Sequence, residues 1–346
     1  MIRFVGDVSL TDGYFDSGFG LGTRISNGLD PFSRIPKGDF WIGNFEGVAS
    51  TQSKNKGNRA SFFRIAPHSL AHCIPFFSIL GVANNHVMQH GEKAYAETIN
   101  TIERLGVPTI GSNEKRTHCF SCHGAQFSIT GFSLRIDEFS KSPLYWHNPE
   151  LKDIIAEIET LPVETYKIAF IHWGYEYADR PSVEQMKFAH LLIDSGYDLI
   201  IGMHPHVLQG FEVYKSKFIF YSLGNFTFDM PWEPTKYGAI VNLDPENGFS
   251  VSYDYICLTD DDIPQIVPES QVPAPYRFTS LNFCLHQTEN DEQYFQHVLQ
   301  NYKKYRRANH LDIAKKMLSH PSVCSSVVSD FIKRRIFKKY DTSHDE

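Results

Sequence analysis

The sequence predicts an α/β fold in which strands and helices alternate along the chain. Short apolar runs recur, each followed by a polar loop, and segments with helical periodicity separate several of them. The run at 199–202 is apolar throughout, which is typical of a strand buried on both faces of a parallel sheet. With 346 residues and 42% hydrophobic content, the chain can bury a large core, and we expect one main domain with an appendage.

Five apolar runs lead into residues that can bind a metal ion or take part in acid–base chemistry. The runs are residues 4–7, 39–47, 76–86, 167–174 and 199–206, and they lead to Asp7, Glu46, Asn85 with His86, His172, and the pair His204 and His206. Taken alone, each residue also fits an ordinary role, such as a turn residue or a hydrogen-bonded histidine. Ligands gather at the carboxyl edge of a parallel sheet, so their joint occurrence favours one or two divalent ions, Mn, Fe or Zn.

Helices are predicted between these runs. One extends from about 93 to 105 and ends at Gly106, and another extends from about 183 to 195 and ends at Gly196. Cys119 and Cys122 are interpreted as strand residues rather than zinc ligands, because residues three apart in a strand point to opposite faces.

Charge and cysteine usage bound the location and the partners. The net charge is -7, so nucleic acid is not expected as a partner. The six cysteines lack the spacing of a disulfide framework, which suits a reducing compartment. The chain starts directly with a strand-like run and has no run of eighteen apolar residues, so no signal peptide or membrane span is predicted and a cytoplasmic location is expected.

Several multi-residue motifs follow one another in an order known from one protein family. They are Gly6-Asp7, Asn44-Phe45-Glu46, Ala83-Asn84-Asn85-His86, His172-Trp173-Gly174-Tyr175-Glu176-Tyr177, His204-Pro205-His206-Val207-Leu208-Gln209-Gly210, and residues 221–229. This order resembles the CapA family, which is associated with poly-γ-glutamate capsule formation. The resemblance runs from residue 2 to about 260 and implies a calcineurin-like metallophosphoesterase fold, an αββα sandwich.

The resemblance implies a centre that holds one or two metal ions. One ion would be held by Asp7 and His206, and the other by Asn85, His172 and His204, with Glu46 at the position of a bridging carboxylate. A water activated by the metal would be the nucleophile of a hydrolytic reaction.

The same resemblance implies roles for residues around the metal. His86 follows a ligand directly and would donate a proton to the leaving group. Arg64 would hold a phosphate or carboxylate, and an ion pair with Glu46 is the alternative. Glu176 and Tyr177 are candidates for substrate contact or for support of the ligands.

Three positions depart from the expected pattern. Ser9 stands where broader metallophosphoesterases have a histidine ligand, Gln89 stands where the family usually has aspartate, and Met203 stands where another histidine is common. A site with one metal and a retired active site are therefore alternatives to a dinuclear centre.

The C-terminal part of the chain differs in composition. We predict a CapA-like metallophosphoesterase domain over 1–262, a Pro-containing linker over 263–289, and a basic helical extension over 290–346 in which Pro321 separates two helices. The extension mixes basic and apolar residues, so it could lie on an anionic membrane surface, but packing against the domain is favoured.

The predicted function is a metal-dependent phosphoester hydrolase in capsule, exopolymer or cell-surface polymer metabolism, with a phosphorylated or anionic polymer-type substrate. Two other functions stay open: a non-catalytic accessory or polymer-binding protein of capsule synthesis, and a γ-glutamyl amide hydrolase or transferase. Fold alone does not separate them, because function depends on the site.

Overall fold

Two β-sheets pack face to face and helices cover their outer faces in the computed structural model, which describes residues 1–13, 20–54, 61–285 and 290–319. The predicted αββα sandwich is confirmed. Residues 320–346, with the predicted helix break at Pro321, lie outside the described residues.

The elements of the described ranges alternate as an α/β fold requires. The strands are β1 (Ile2–Val8), β2 (Phe40–Phe45), β3 (Val48–Ala49), β4 (Arg64–Ile65), β5 (Ile79–Gly81), β6 (Thr109–Ile110), β7 (Thr117–Cys122), β8 (Ala125–Ser133), β9 (Tyr166–His172), β10 (Leu199–Met203), β11 (Phe211–Tyr214), β12 (Lys217–Phe220), β13 (Asn225–Thr227), β14 (Tyr237–Asp244), β15 (Ser250–Leu258) and β16 (Pro264–Val267). The helices are α1 (Leu21–Ser26), α2 (Pro67–Leu70), α3 (Glu92–Arg104), α4 (Leu151–Glu159), α5 (Val183–Asp194), α6 (Phe278–Leu285) and α7 (Asp291–Ser319).

The first sheet has the strand order β16-β15-β14-β1-β2-β5-β6, with β13 also paired to β1. Strands β1, β2, β5 and β6 are parallel, and β14 to β16 add an antiparallel edge. The pairing of β1 with β2 shifts register between Phe4 and Asp7. Gly6 lies in this irregular stretch, where a Cβ atom would come within 1.9 Å of the Gly224 carbonyl oxygen. Only glycine allows so close an approach of two backbones.

The second sheet has the order β11-β12-β10-β9-β8-β7. Its inner strands β8, β9, β10 and β12 are parallel, and the edge strands β7 and β11 are antiparallel to their neighbours. Cys119 and Cys122 lie in β7, as the interpretation as strand residues predicts.

Buried side chains form one layer between the sheets and one on each outer face. Between the sheets, Phe4 and Ile42 of the first sheet pack in the same cluster as Ile129, Phe170 and Ile201 of the second. Helix α3 packs on the outer face of the first sheet, and α4 and α5 pack on the outer face of the second. Burying each of these large apolar side chains stabilises the fold by about 1.5–3 kcal/mol before entropy is counted. The inter-sheet layer therefore holds the two strand edges that carry the candidate site in a fixed relation.

The two helices predicted from periodicity are α3 and α5. Helix α3 begins and ends one residue earlier than predicted, and α5 begins as predicted and ends one residue earlier. Ser182 caps α5 by accepting a hydrogen bond from the backbone N–H of Gln185. Gly106 and Gly196 follow the helix ends with φ values of 83° and 116°, which glycine adopts without a steric penalty.

The stretch predicted as a linker, 263–289, contains β16 and α6 within its described residues. Val267, Val272, Phe278 and Leu281 of this stretch are buried in the inter-sheet cluster. These residues therefore pack into the core of the sandwich, because their apolar side chains face the two sheets.

Helix α7 packs along the sandwich at its N-terminal half. The Tyr294 hydroxyl donates to the Arg180 carbonyl oxygen at 3.3 Å, and His297 Nε2 lies 2.8 Å from Asp179 Oδ1. Lys303 and Arg306 are exposed on the same helix. Packing of this part of the extension is therefore what the structure shows. Within the described ranges, no helix combines the length and the hydropathy that a membrane span needs.

Candidate metal centre

The predicted ligands come from the carboxyl ends of strands in both sheets. Asp7 lies in β1, Glu46 follows β2, Asn85 follows β5, His172 ends β9, and His204 and His206 follow β10. The sequence places Asp7 just past its strand, but β1 continues to Val8 because both β2 and β13 pair with its last two residues. The two strand edges meet across the inter-sheet core and bring these side chains to one point.

The side chains form two groups that share Glu46. Glu46, His172 and His204 are one group, and Asp7, Glu46 and His206 are the other. Within each group the ligand atoms lie within 4.8 Å of one another. The Oδ1 atom of Asn85 lies 2.8 Å from His172 Nε2, next to the first group. The division of ligands implied by the family resemblance is thus compatible with the arrangement, and the role of each residue as a ligand stays a prediction.

The loop after β10 holds its two histidines in an uncommon backbone conformation. His204 and His206 have φ values of 100° and 60°, which lie in the left-handed region and cost energy in residues with a side chain. The loop is fixed from two sides, because the His204 N–H donates to Asp7 Oδ2 at 3.0 Å and the Tyr177 N–H donates to the Pro205 carbonyl oxygen at 2.8 Å. Strain of this kind is typical of functional sites that position side chains.

Gly202, in the strand before the loop, is, like Gly6, a position that only glycine can occupy. A Cβ atom there would lie 2.1 Å from the Tyr221 carbonyl oxygen and 2.4 Å from Trp173 Nε1. The close approach lets Trp173 Nε1 donate to the same carbonyl oxygen at 2.9 Å. Gly202 therefore allows the loop to start at the right depth in the sandwich.

Buried polar atoms in this cluster lack partners. Both carboxylate oxygens of Glu46 and both ring nitrogens of His204 are buried and have no hydrogen-bond partner among the described residues. Each buried polar group without a partner costs about 1–3 kcal/mol. Carboxylate oxygens together with imidazole nitrogens are the donor set that Mn, Fe or Zn ions take, so the residues fit a divalent cation.

Burial controls the charge of the metal-free cluster. It raises the pKa of Asp7 to about 7 and raises the pKa of Glu46 well above its usual range, with the neighbouring Asp7 adding to the second shift. Burial also lowers the pKa of His206 to about 3 and lowers the pKa values of His172 and His204 well below the usual range. The histidines are therefore neutral and able to donate a lone pair, and both carboxyl groups keep their protons to a higher pH than exposed ones do.

Three asparagines support the ligands, and sequence reasoning does not assign them a role. Asn44 Nδ2 donates to Asp7 Oδ1 at 2.8 Å and lies 3.1 Å from His172 Nδ1. Asn225 Oδ1 lies 3.0 Å from His206 Nδ1. Asn84 donates from Nδ2 to the Phe45 carbonyl oxygen at 2.8 Å, which fixes the loop before Glu46. Such contacts orient metal ligands and set which ring nitrogen is free.

The three departures from the family pattern have ordinary contacts. The Ser9 hydroxyl lies 2.9 Å from the Thr11 hydroxyl, and Met203 is buried in the inter-sheet cluster. Gln89 Oε1 lies 2.7 Å from His86 Nδ1, so an amide takes the place of a carboxylate next to this histidine. Ser9 and Met203 therefore act in packing, whereas Gln89 changes the electrostatics beside the cluster.

His86 lies at the edge of the cluster. Its Nε2 atom is 3.8 Å from Glu46 Oε1, and its ring stacks on Phe63 with centroids 3.7 Å apart. Burial lowers the pKa of His86 to about 4. In the metal-free protein this imidazole is neutral at pH 7, and its role as proton donor stays a prediction.

Arg64 lies in β4, and its guanidinium donates from Nη1 to the Ser50 carbonyl oxygen at 2.7 Å. The charges that act on it are those of Asp12 and Glu97, and no ion pair with Glu46 is found among the described residues. Its role in holding an anion stays a prediction. Arg135 is a cation that sequence reasoning misses. Its charge contributes, after burial, to the lowered pKa values of His172 and His204 and opposes the raised pKa of Glu176.

A cavity of about 250 Å³ opens beside the cluster. His86 and His206 line it from the side of the candidate ligands, together with Glu176 and Tyr177. The two residues predicted for substrate contact therefore border the space that a substrate would enter. Burial raises the pKa of Glu176, so its carboxyl group holds a proton more tightly than an exposed glutamate does.

The chain is similar in sequence to bacterial capsule synthesis proteins. The family model described as bacterial capsule synthesis protein PGA_cap matches residues 1–230. The chain is 35% identical over 181 residues to the capsule biosynthesis protein CapA of Bacillus anthracis, covering 48% of this chain and 43% of that protein. It is 34% identical over 179 residues to the PGA biosynthesis protein CapA of Bacillus subtilis (strain 168), covering 48% and 46%. The chain thus spans about half the length of the curated relatives it matches.

Among solved structures, a novel phosphatase from Mycoplasma pneumoniae superposes with a TM-score of 0.45 at 14% identity. The superposition covers 78% of this chain and 94% of that one. A likeness at this level carries no argument about activity.

Proposed function

The chain belongs to the family of bacterial capsule synthesis proteins described as PGA_cap, and on this premise we propose that it is a metal-dependent hydrolase of phosphate esters. Its substrate would be a phosphorylated or anionic intermediate of capsule or exopolymer synthesis. The observation that carries the proposal is the pair of ligand groups that share Glu46, whose buried oxygens lack partners within the described ranges. A divalent cation would supply the missing partner and remove the cost of the unpaired groups.

The candidate ligands would divide as the two groups suggest. Asp7 and His206 would hold one ion, His172, His204 and Asn85 the other, and Glu46 would contact both. When bound, divalent ions supply an activated water and neutralise charge on a phosphate group. The asparagine contacts would keep Asp7, His172 and His206 in fixed orientations, so that little reorganisation accompanies the reaction.

His86 would donate a proton to the leaving oxygen. His86 lines the cavity, its Nε2 atom lies 3.8 Å from Glu46 Oε1, and its Nδ1 atom lies 2.7 Å from Gln89 Oε1. The stacked Phe63 ring fixes the plane of the imidazole. Nε2 would then be the ring nitrogen that serves the leaving group.

A second function, a non-catalytic accessory protein that binds an anionic polymer, is favoured by one observation. Gln89 has no negative charge with which to stabilise a protonated His86, so the proton donor is weaker than a His–Asp pair would make it. A cleft with this change could retain metal and ligand binding while losing turnover.

Metal content and turnover together test the proposal. We expect purified protein to hold Mn, Fe or Zn by elemental analysis and to hydrolyse an aryl phosphate, and we expect His204→Ala and His206→Ala each to lower both. His190→Ala is the matched control, because His190 pairs with Glu212 on another face and should change neither. Stoichiometric metal in the double variant would contradict the assignment of the ligands. Fully metallated wild type without activity on any phosphate ester would favour the accessory function.

A further inference from the structure

Helix α7 closes one side of the cavity beside the candidate metal centre. The helix covers residues 291–319, whereas the family model matches residues 1–230, so this wall comes from outside the matched region. Its inward residues recur at intervals of three and four, which places them on one helix face. They are Asn301, Tyr305, Asn309, Asp312, Ile313 and Lys316.

The helix contacts the loop that carries the histidines through Tyr177. The rings of Tyr305 and Tyr177 stack with centroids 4.0 Å apart and planes 17° from parallel. Asn301 Nδ2 donates to the Tyr177 carbonyl oxygen at 3.1 Å, and the Tyr177 N–H donates to the Pro205 carbonyl oxygen. Tyr177 itself has a φ of 63°. The helix therefore packs on the residue that is bonded to the histidine loop, and its position relative to the centre is defined.

The size of the cavity limits what it can accept. Its volume of about 250 Å³ lies below the roughly 300–1,000 Å³ of pockets that enclose drug-sized ligands. His86 and His206 line it from the side of the candidate ligands, and Asn309, Ile313 and Lys316 of α7 line it as well. A phosphate with one small substituent would fill much of this volume, and a second bulky substituent would compete with α7 for space.

The lining matches a polar but compact substituent. Tyr305 and Phe228 offer ring faces, and Asn309 offers an amide. Lys316 is paired with Asp312 at 3.0 Å, so the helix brings little net charge to the wall. Aromatic faces with a few polar groups are typical of sites for small organic ligands.

We propose that α7 is the specificity wall of this site and restricts it to terminal phosphate monoesters, with Tyr305 and Ile313 as the residues that determine specificity. The inference rests on the proposed phosphate-ester site. A free small molecule and the phosphorylated end of a chain share the required chemistry, and an internal phosphodiester lacks it.

Binding of two probes tests the wall without turnover. Phenyl phosphate and diphenyl phosphate differ by one substituent, and their affinities for Mn-loaded full-length protein are measured by calorimetry. We expect wild type to bind the monoester at least about 10-fold more tightly, since a pocket contact of this size is worth that much discrimination. Tyr305→Ala and Ile313→Ala should each reduce the ratio by about 10-fold, with metal content unchanged.

Leu311→Ala is the matched control for Ile313→Ala, because Leu311 lies on the same helix and its side chain is 57% exposed. It should keep the wild-type ratio. Tyr305→Phe retains the ring and should also keep it. Thermal melts identify any variant that fails to fold, and Ile313→Ala then serves in place of Tyr305→Ala. An unchanged ratio in folded variants of both wall residues would overturn the inference.

Two further results separate this inference from the proposed function. If the ratio falls in the wall variants as expected but wild type hydrolyses no ester, the proposed hydrolase fails and the wall stands. If it hydrolyses an aryl diester as well as a monoester, the hydrolase stands and the wall fails. A small sugar phosphate and an oligomer with a terminal phosphate distinguish the two sources, and acceptance of either one supports the wall.

Discussion

Glu46 illustrates how one residue can reduce stability while making a site. It is fully buried, it belongs to both ligand groups, and neither carboxylate oxygen has a hydrogen-bond partner in the described structure. Burial raises the pKa of its carboxyl group well above the usual range, so ionising this group in the metal-free protein costs folding stability. Proteins commonly accept such costs where a ligand will later pair the group.

The charge of the cluster makes metal-free stability depend on pH. Asp7 has a folded pKa of about 7 against an ordinary value of 3.8, so its favourable contribution is complete below that ordinary value and is lost as pH rises through about 7. Glu46 shifts in the same direction. The depressed pKa values of His86 and His206 act oppositely, but only below 6.5, where the unfolded histidines take up protons.

We therefore expect the melting temperature of chelator-treated protein to fall as the pH rises from 6.5 through about 7, because the histidines no longer change charge there and the carboxyl groups still do. Excess Mn should reverse the fall, because a cation favours the ionised form. Glu46→Gln should flatten the dependence, because an amide does not ionise. Glu246→Gln is the control, since Glu246 is exposed and should leave the profile unchanged. A melting temperature of wild type that does not change over this pH range would show that the pKa values of these carboxyl groups are not raised.

His86 and Gln89 give a second prediction at this scale. If His86 supplies the proton, His86→Asn should lower turnover on esters with poor leaving groups by roughly 10²–10⁴-fold and have much less effect on an aryl phosphate. Gln89→Asp should raise turnover on the poor leaving groups, because a carboxylate at His86 Nδ1 stabilises the protonated ring. Steady-state rates on the two substrate classes measure both effects. Equal losses on both classes would argue against a proton donor.

At the scale of elements, the sequence specifies long regular segments better than short ones. Helices α3 and α5 follow from their periodicity and their terminal glycines, which are local signals. The pairs β3 with β4 and β13 with β1 involve strands of two or three residues, whose pairing depends on distant chain segments. The same tertiary pairing extends β1 past Asp7, which local pattern cannot reveal.

Some residues of the candidate site are identifiable from the sequence, and others are identifiable only from the fold. Strand ends that carry histidine or carboxylate are visible in the sequence, so the sequence alone predicts the candidate ligands. Asn84 stands within a motif, and Asn44 is a polar residue inside a buried strand, so a signal exists for both. Arg135 follows β8 outside the motifs, and nothing local distinguishes it from a surface arginine. The anion-binding role predicted for Arg64 shows the same limit, because its contact with Ser50 depends on the fold.

At the scale of the whole molecule, the C-terminal helix joins two observations. Its N-terminal half packs on the sandwich through Tyr294 and Asn301, both buried, and its C-terminal half borders the cavity. The basic residues Lys303, Arg306 and Arg307 point away from these contacts and are exposed. The extension is thus part of the folded unit up to Ser319, and the domain limits 1–262, 263–289 and 290–346 are a proposal about composition.

Removal of residues 290–346 should lower the free energy of unfolding by about 3–5 kcal/mol, because the aromatic contacts of Tyr294 and Tyr305 are lost together. We also expect increased binding of a hydrophobic dye, since the surface under α7 becomes exposed. A truncation after Ser319 keeps every contact described for the helix and is the matched control.

Salt dependence separates packing of the extension from membrane binding. Apolar packing depends little on salt, whereas attraction to an anionic membrane is about 1 kcal/mol per basic residue and is screened by salt. Full-length protein should therefore not sediment with anionic liposomes at physiological salt. Salt-sensitive sedimentation that disappears in a fully stable 290–346 truncation would instead assign the helix to a membrane surface.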